Sequence, residues 1–470
     1  MQANSGILQE GKAKRTTALL LPVLPISTWL ILAEIGYAAI IIVAITRENW
    51  LLALGGLFLP LLFAYPVEIS LGLFAFLLPF DTLGATGLDS SAGSSISWYS
   101  GALAGLVLLM VGITGNRIKR PPKAAFWWGL FVTWNAASLL WALDPKQGLE
   151  RLPSAVCLFF LYLAIVTFKF RERELYFVFV LTSLGATVAA GFAVWEFVHG
   201  TALRAALVVG NRESNPNDFA SSLLLAFSIS LSMFLALKSR WKRIATLSAA
   251  LLIALGIFLT MSRGSLFALA ALLVVYLARM GVRRQVLLCL ALLPMLTLLL
   301  PHQFFTRIES AKDDRATGRV DIWIVAGQII KHYPVAGAGL ENFRTAYNQF
   351  AGYAPNAPIY RRFDRDPHNI YLQAWGETGI VGLLLLLAAI VSQLRSTRNC
   401  FKDQNNPDLR LVATEAACWA LLTHGLAANL LWRKYFWMSW ALLTVFIASS
   451  GTKSSISESM MKQSTTVRIS

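Results

Sequence analysis

Apolar and polar positions alternate along this chain in long blocks, not with the short periods of a soluble helix or strand. Fourteen apolar runs recur, at residues 27–45, 50–65, 66–80, 98–115, 124–143, 153–168, 175–198, 218–237, 244–261, 264–280, 285–301, 370–394, 411–430 and 435–450. A helix that crosses a bilayer needs ~20 residues, with ~17 as a working lower limit, so the runs at 50–65, 66–80 and 435–450 stand at the margin. The pattern predicts an all-α, polytopic integral membrane protein with twelve to fourteen transmembrane helices.

The blocks stop once, over residues 302–369, where a polar, Arg-rich segment ends in Asp366-Pro367-His368-Asn369 just before the next apolar run. Within it, Arg319 to His332 carries Ile322, Trp323, Ala326, Ile329 and Ile330 at the spacing of one helical face. Pro334 and the glycines Gly337 and Gly339 end that helix, Leu340 to Phe350 reads as a second short one, and 351–367 as an irregular strap leading back to the bilayer. The chain therefore divides into an N-terminal segment 1–26, helices over 27–301, the large loop 302–369, C-terminal helices over 370–450 and a Ser/Thr-rich disordered tail 451–470.

Charge orients these blocks. Short cytoplasmic loops carry an excess of Lys and Arg, whereas loops beyond ~60 residues escape the rule. With fourteen spans and the N-terminus inside, 24 of the 41 basic residues fall on the inner side, nine in the long loop and only eight in the short outer loops. Both termini then face the cytoplasm and the long loop faces outward. The net charge of +16 follows mostly from this topology; no basic patch is interleaved with aromatics, so nucleic acid is not an expected partner. Cys157, Cys289, Cys400 and Cys418 lie in spans or an inner loop, which argues against disulfides and a cysteine metal site. Residues 1–15 are polar and lack the apolar core of a cleaved signal peptide.

Ionisable residues within or at the ends of the spans are Glu34, Glu196, Arg263, Glu377, Glu415 and His424, and each is costly in lipid unless it faces protein or water. Arg263 stands out. Its neighbouring runs are bounded on their far sides by cytoplasmic basic clusters, so Ser262-Arg263-Gly264 is a tight outer hairpin with no room for a solvated loop residue.

Three outer motifs coincide: Ser262-Arg263-Gly264; Arg319-x-x-x-Trp323 running through Pro334 to Gly337-Ala-Gly339-x-x-x-Phe343; and His368-Asn369-x-Tyr371-Leu372 followed by Glu377-x-Gly379. Together with Asn215-Pro216-Asn217-Asp218-Phe219-Ala220, their order on a polytopic chain resembles the O-antigen ligase and polymerase family. The resemblance covers residues 210–385 by motif and the whole chain by topology. It implies a glycosyltransferase of the inner membrane that moves a saccharide from an undecaprenyl-diphosphate carrier to an acceptor at the periplasmic face. It also implies an essential His and Arg in the large loop and a second Arg on a short outer loop, which by motif are His368, Arg319 and Arg263. No metal and no cofactor are expected. The partners implied are the lipid-linked glycan donor, an acceptor that is lipid A core or a growing glycan, and the bilayer itself. Asn369, Tyr371, Glu377, Asn217 and Arg212 are the accompanying candidates for substrate contact.

The chemistry fits those residue types. Breaking the anomeric bond leaves a diphosphate, and guanidiniums stabilise it by bidentate hydrogen bonds that an ammonium matches less well. A histidine near its intrinsic pKa of ~6.5 can take the acceptor proton. Each residue also has a plainer reading: His368 as a cap where the loop re-enters the membrane, Arg319 as a side chain reaching lipid headgroups. Asp364 and Asp366 have the spacing of a metal-holding pair but read as coincidence or as partners for Arg361, Arg362 and Arg365. Glu377, nine residues past His368, would lie on the opposite face of a continuous helix and reads as a packing or hydrogen-bonding group. His302 and His332 lack carboxylates at zinc-site spacing. Asp81 and Asp89 keep a metal-using variant open, and a transporter or a non-catalytic assembly subunit remain the rivals from other classes. The motifs suit a ligase and a polymerase alike, with a lean towards the ligase.

Overall fold

The computed structural model describes residues 61–84, 96–200, 204–209, 212–280, 319–354, 365–402 and 407–449. The spans expected at 27–45 and 285–301, with Glu34, Asp89, Cys289, His302, Arg361, Arg362, Asp364 and the tail, lie outside them. The chain divides into two compact units, residues 1–64 and 65–470, and the second carries the site.

That unit is helical. In chain order its helices are α1 (Pro66–Leu77), α2 (Ile96–Thr114), α3 (Lys123–Ala137), α4 (Pro145–Thr167), α5 (Glu172–His199), α6 (Pro216–Ala236), α7 (Arg240–Leu259), α8 (Arg263–Met280), α9 (Arg319–His332), α10 (Phe343–Phe350), α11 (Ile370–Lys402), α12 (Leu409–His424) and α13 (residues 434–449). One two-residue hairpin, β1 (Val208–Val209) and β2 (Arg212–Glu213), precedes α6. Among the described residues eight helices are long and apolar enough to cross a membrane: α1 with its 3-10 extension, α2, α4, α5, α6, α7, α8 and α11. The fold is that of an all-α polytopic membrane protein.

Local chemistry sets the helix starts. Asp144, Asn215, Asn369 and Asp408 each accept a backbone N–H from the first turn of the helix that follows, and Pro145 and Pro216 supply a preset φ at its first position. α6 is the central helix: 89% of its apolar window is buried, against 33–56% for the others. α7, α12 and, less extensively, α5 and α8 pack around it. Its N-terminus, with Asn215, Asn217 and Asp218, is thereby fixed near the middle of one end of the bundle.

Two helices stop earlier than their apolar runs. α3 ends at Ala137 and α12 at His424, where runs to 143 and 430 were expected. The cause is hydrogen bonding to the polar segment and to the start of α11: Leu143 N donates to Ala338 O at 3.0 Å, Ser138 Oγ accepts from Leu340 N at 2.9 Å, and Gly425 O accepts from Ile370 N at 2.8 Å. Ion pairs gather at both ends of the bundle. Arg117–Glu174, Arg410–Glu172 and Arg279–Glu415 lie at the end with the basic clusters, and Arg151–Glu341, Asp81–Lys434, Asp218–Arg433 and Arg344–Asp366 at the end with the polar segment.

Candidate functional site

The polar segment is built on two interlocked turns. Pro334 to Gly339 lies against the residues around Gly379, where α11 kinks with φ +67°. Ala338 N donates to Gly376 O at 2.9 Å, Gly339 N to Glu377 O at 2.7 Å and Ile380 N to Pro334 O at 2.9 Å. A Cβ at Gly337 would stand 2.3 Å from the Glu377 carbonyl, and one at Gly379 2.0 Å from Val335 O. Both glycines also have positive φ, so the two Gly-containing motifs exist to let two backbones touch. Arg151 then grips Glu341 with two bonds of 2.8 Å, and Asn342 bonds Asp144 in both directions, at 2.6 and 3.0 Å.

On this base α9 and α10 form a small core of their own. α9 buries Ile322, Val325, Ala326 and Ile329 together with Asp321; α10 adds Phe343, Ala346 and Tyr347. Trp323 is 39% exposed and Ile330 half-buried, because the face opposing α10 and α11 is centred on Val325. One expectation is corrected here: the second helix begins at Phe343, since Glu341 at φ +60° and Asn342 form a turn. Instead of packing in that core, Trp323 anchors the strap, its indole Nε1 donating to Pro367 O at 3.1 Å.

His368 follows with φ +46°, a left-handed conformation unusual for a residue other than glycine. Both neighbours are tied down. Arg344 makes two bonds of 2.7 Å to the Asp366 carboxylate, while Arg361 and Arg362, also expected as its partners, lie outside the described residues. Asn369 caps α11, accepting from Tyr371 N at 2.9 Å and Leu372 N at 3.1 Å, and its Nδ2 donates to Leu426 O at 3.2 Å. Burial pulls the His368 imidazole below its ordinary value, the Asp366 carboxylate opposes that shift, Arg319 reinforces it, and Asp218 and Arg365 also act on it. Burial opposes ionisation of Asp366 as well, yet the Arg344 bonds and charge hold its carboxyl below the usual range.

The Arg263 hairpin meets the same region through α12. Met261 takes φ +51°, Ser262 is buried, and Arg263 opens α8. Arg263 is exposed on the protein surface, where the sequence suggested it had no room to be. Behind it His424 is buried, with Nδ1 3.4 Å from Ser265 Oγ and 3.2 Å from a Cβ placed on Gly264. The turn after His424 continues to the Gly425 and Leu426 carbonyls that hold Ile370 and Asn369. Arg204 joins the hairpin to α6, donating to Thr260 O at 2.7 Å and Asn217 Oδ1 at 2.9 Å.

The structure thus brings Arg319, His368, Asn369 and Tyr371 to one end of the bundle, and links Arg263 and Asn217 to it through α12 and Arg204. Tyr371 is half-buried. Glu377 lies deeper, buried, with Gln373 Nε2 3.3 Å from its Oε1. Arg212 pairs through its backbone with Val209 in the hairpin before α6, and its side chain lies outside the described residues. Asp81 is held by Lys434 Nζ at 2.5 Å and by Ser97, and among the described residues no group of three or more His, Cys, Asp or Glu is arranged to hold a metal.

Two residues of this end went unnamed in the sequence, Arg344 and Arg433; Asp218 stood in the Asn215–Ala220 motif and His424 among the ionisable span residues, each without its partner here. Arg433 Nη2 donates to Asp218 Oδ2 at 2.5 Å. Burial works against the charge on Arg433, and Asp218, Tyr435, Asp81 and Asp366 together more than restore it. A signal was present, because Arg433 and Lys434 belong to the eight basic residues on the short loops where the charge rule disfavours them.

Fold and site together define a polytopic helical membrane protein with a cationic, histidine-bearing end. Residues 248–387 match the family model described as O-antigen ligase. The matched stretch holds Arg263, Arg319 and His368. That family implies lipid-linked glycan substrates and a membrane environment. No curated protein matches the chain.

Proposed function

We propose that this protein transfers a saccharide from an undecaprenyl-diphosphate carrier to an acceptor hydroxyl at the outer face of the inner membrane, as an O-antigen ligase, without a metal. The observation that carries the reading is the strained, pinned His368 lying in the combined field of Arg319, Arg365, Asp366 and Asp218. Strained backbone persists where the surroundings over-determine it, and such positions cluster at functional sites. Met261 and Glu341, beside the other two motifs, share the positive φ.

In the reaction the acceptor O–H bonds to the anomeric carbon and gives its proton to the neutral His368 imidazole. The bond from that carbon to the phosphate oxygen breaks with its electron pair, and undecaprenyl diphosphate leaves. Arg319 and Arg263 bind the diphosphate oxygens as charge develops there, which favours the transition state over the bound donor. His368 is suited to the proton transfer because its lowered pKa keeps it neutral at physiological pH. Asn369, Tyr371, Asn217 and Arg212 are the proposed substrate contacts around this pair. The positive clusters at the opposite end of the bundle favour a cytoplasmic position for that end and an outward one for the site.

The experiment is transfer by purified protein in detergent from an undecaprenyl-diphosphate glycan, with lipid A core as acceptor and His368→Ala alongside. A ligase moves the glycan onto lipid A core in the wild type, and the variant is slower by ~10² to 10⁴. Longer carrier-linked chains from the donor alone identify a polymerase. Equal product from wild type and variant removes His368 from the chemistry.

A further inference from the structure

We infer that Arg433 is a further binding residue for the diphosphate of the lipid-linked donor, an inference that rests on the transferase reading above. Four cations lie in described ion pairs at this end of the bundle, and three are committed. Arg151 gives Nε and Nη2 to Glu341, Arg344 gives Nε and Nη2 to Asp366, and Lys434 divides its ammonium between Asp81 and Ser97. Arg433 differs. Its guanidinium makes a single hydrogen bond among the described residues, Nη2 to Asp218 Oδ2, and its side chain is 27% exposed. A carboxylate therefore occupies one corner of a planar fork and leaves the other donors to a ligand with oxygens, the geometry that a phosphate matches and an ammonium does not reproduce.

The residue is also held in place to do this. Its amide donates to Leu430 O at 3.0 Å, and its carbonyl accepts from Phe436 N and Trp437 N at the start of α13. Asp218 stands at the first turn of α6, the most buried of the described spans, so the carboxylate that orients the fork is carried on the centre of the bundle. Asp218 acts electrostatically on both Arg433 and His368, and Asp366 acts on both as well. The guanidinium and the imidazole thus share two counter-ions. That places a cation with open donors among the carboxylates that also act on the histidine proposed to take the acceptor proton, on a different segment of the chain from Arg319 and Arg263.

A purely structural Arg433 would serve to tie α13 to α6, and removing either partner of the ion pair would have the same effect. A diphosphate ligand predicts opposite effects. Purified full-length protein in detergent is titrated with undecaprenyl diphosphate, with undecaprenyl monophosphate and phosphatidylglycerol as competitors, for wild type, Arg433→Gln, Arg433→Lys and Asp218→Asn. Arg433→Gln is expected to weaken undecaprenyl diphosphate binding by about tenfold or more, with Arg433→Lys between it and wild type. Asp218→Asn, which frees the fork, is expected to bind at least as tightly as wild type. If Arg433→Gln fails to fold, Arg433→Lys and Asp218→Asn decide by the same opposite signs. Parallel loss in the Arg433 and Asp218 variants, unchanged binding on losing Arg433, or equal competition by phosphatidylglycerol overturns the proposal and leaves the transferase reading standing. A wild type that does not bind undecaprenyl diphosphate removes that reading itself.

Discussion

The indole of Trp323 donates a hydrogen bond to the carbonyl of Pro367 at 3.1 Å, so a residue four positions after Arg319 fixes the backbone one position before His368. The arginine motif and the histidine motif are therefore one device. α9 is anchored by its own core with α10, and it transmits that rigidity to a histidine held at φ +46°.

Trp323→Phe keeps the aromatic ring and deletes the donor. A hydrogen bond of this kind contributes about 0.5 to 1.5 kcal/mol net, so turnover should fall by about two- to tenfold if His368 loses its aim. We expect kcat to carry the loss while KM stays unchanged, since the indole positions the base and does not touch the donor. A change in KM alone would make Trp323 a substrate contact.

The pH dependence follows from the charges around His368. Burial sets its pKa below the ordinary value of about 6.5, and the base works only when neutral. Activity should therefore be full at neutral pH and fall as pH drops through an apparent pKa below that value. Asp366 raises the His368 pKa, and Asp366→Asn would also release the Arg344 charge. Both changes disfavour the imidazolium, so the acid limb should move to lower pH. A pH–rate profile whose limb stays put in Asp366→Asn assigns it to another group.

The sequence carried the helices and the three motifs because membrane spans and backbone-touching glycines leave local signatures. Apolar length alone located α4 to α8 and α11, and Pro334, Gly337, Gly339 and Gly379 marked the two turns that interlock. Pairings between distant residues leave no such trace. Nothing near Asp366 points to Arg344, and nothing near Asp218 points to Arg433, because each pair is made only when α10 meets the strap or α13 meets α6. The early ends of α3 and α12 were hidden for a related reason: Ser138, Leu143 and Gly425 leave their helices for partners in the polar segment and at the start of α11, which an apolar run cannot report.

Asp81 separates a metal-using enzyme from one that stabilises charge with arginines alone. Its carboxylate is engaged by Lys434, whose side chain is only 12% exposed, so Asp81→Asn leaves a largely buried ammonium short of its counter-ion at a cost of about 3 to 5 kcal/mol. The expected result is a lower melting temperature in detergent for Asp81→Asn, and a wild-type transfer rate that EDTA does not change. Loss of the wild-type rate in EDTA, restored by added divalent cation, would instead make Asp81 a metal ligand.

Gly379 tests whether the interlocked turns hold the site together. At φ +67° an L side chain is strained by about 1 to 3 kcal/mol, and its Cβ would stand 2.0 Å from Val335 O and 2.5 Å from Ala336 N, backbone atoms that cannot rotate away. Gly379→Ala should push the Pro334–Gly339 turn off α11, lowering the melting temperature and abolishing transfer together, because α9, Trp323 and Pro367 lose their common base. Gly327→Ala is the matched control: it sits inside α9 with nothing within 4 Å of a Cβ, so it should leave activity intact and stabilise α9 by up to ~1 kcal/mol. A Gly379→Ala protein that melts and transfers like wild type would separate the two turns mechanically, and the geometry of His368 would then depend on α10 and Arg344 alone.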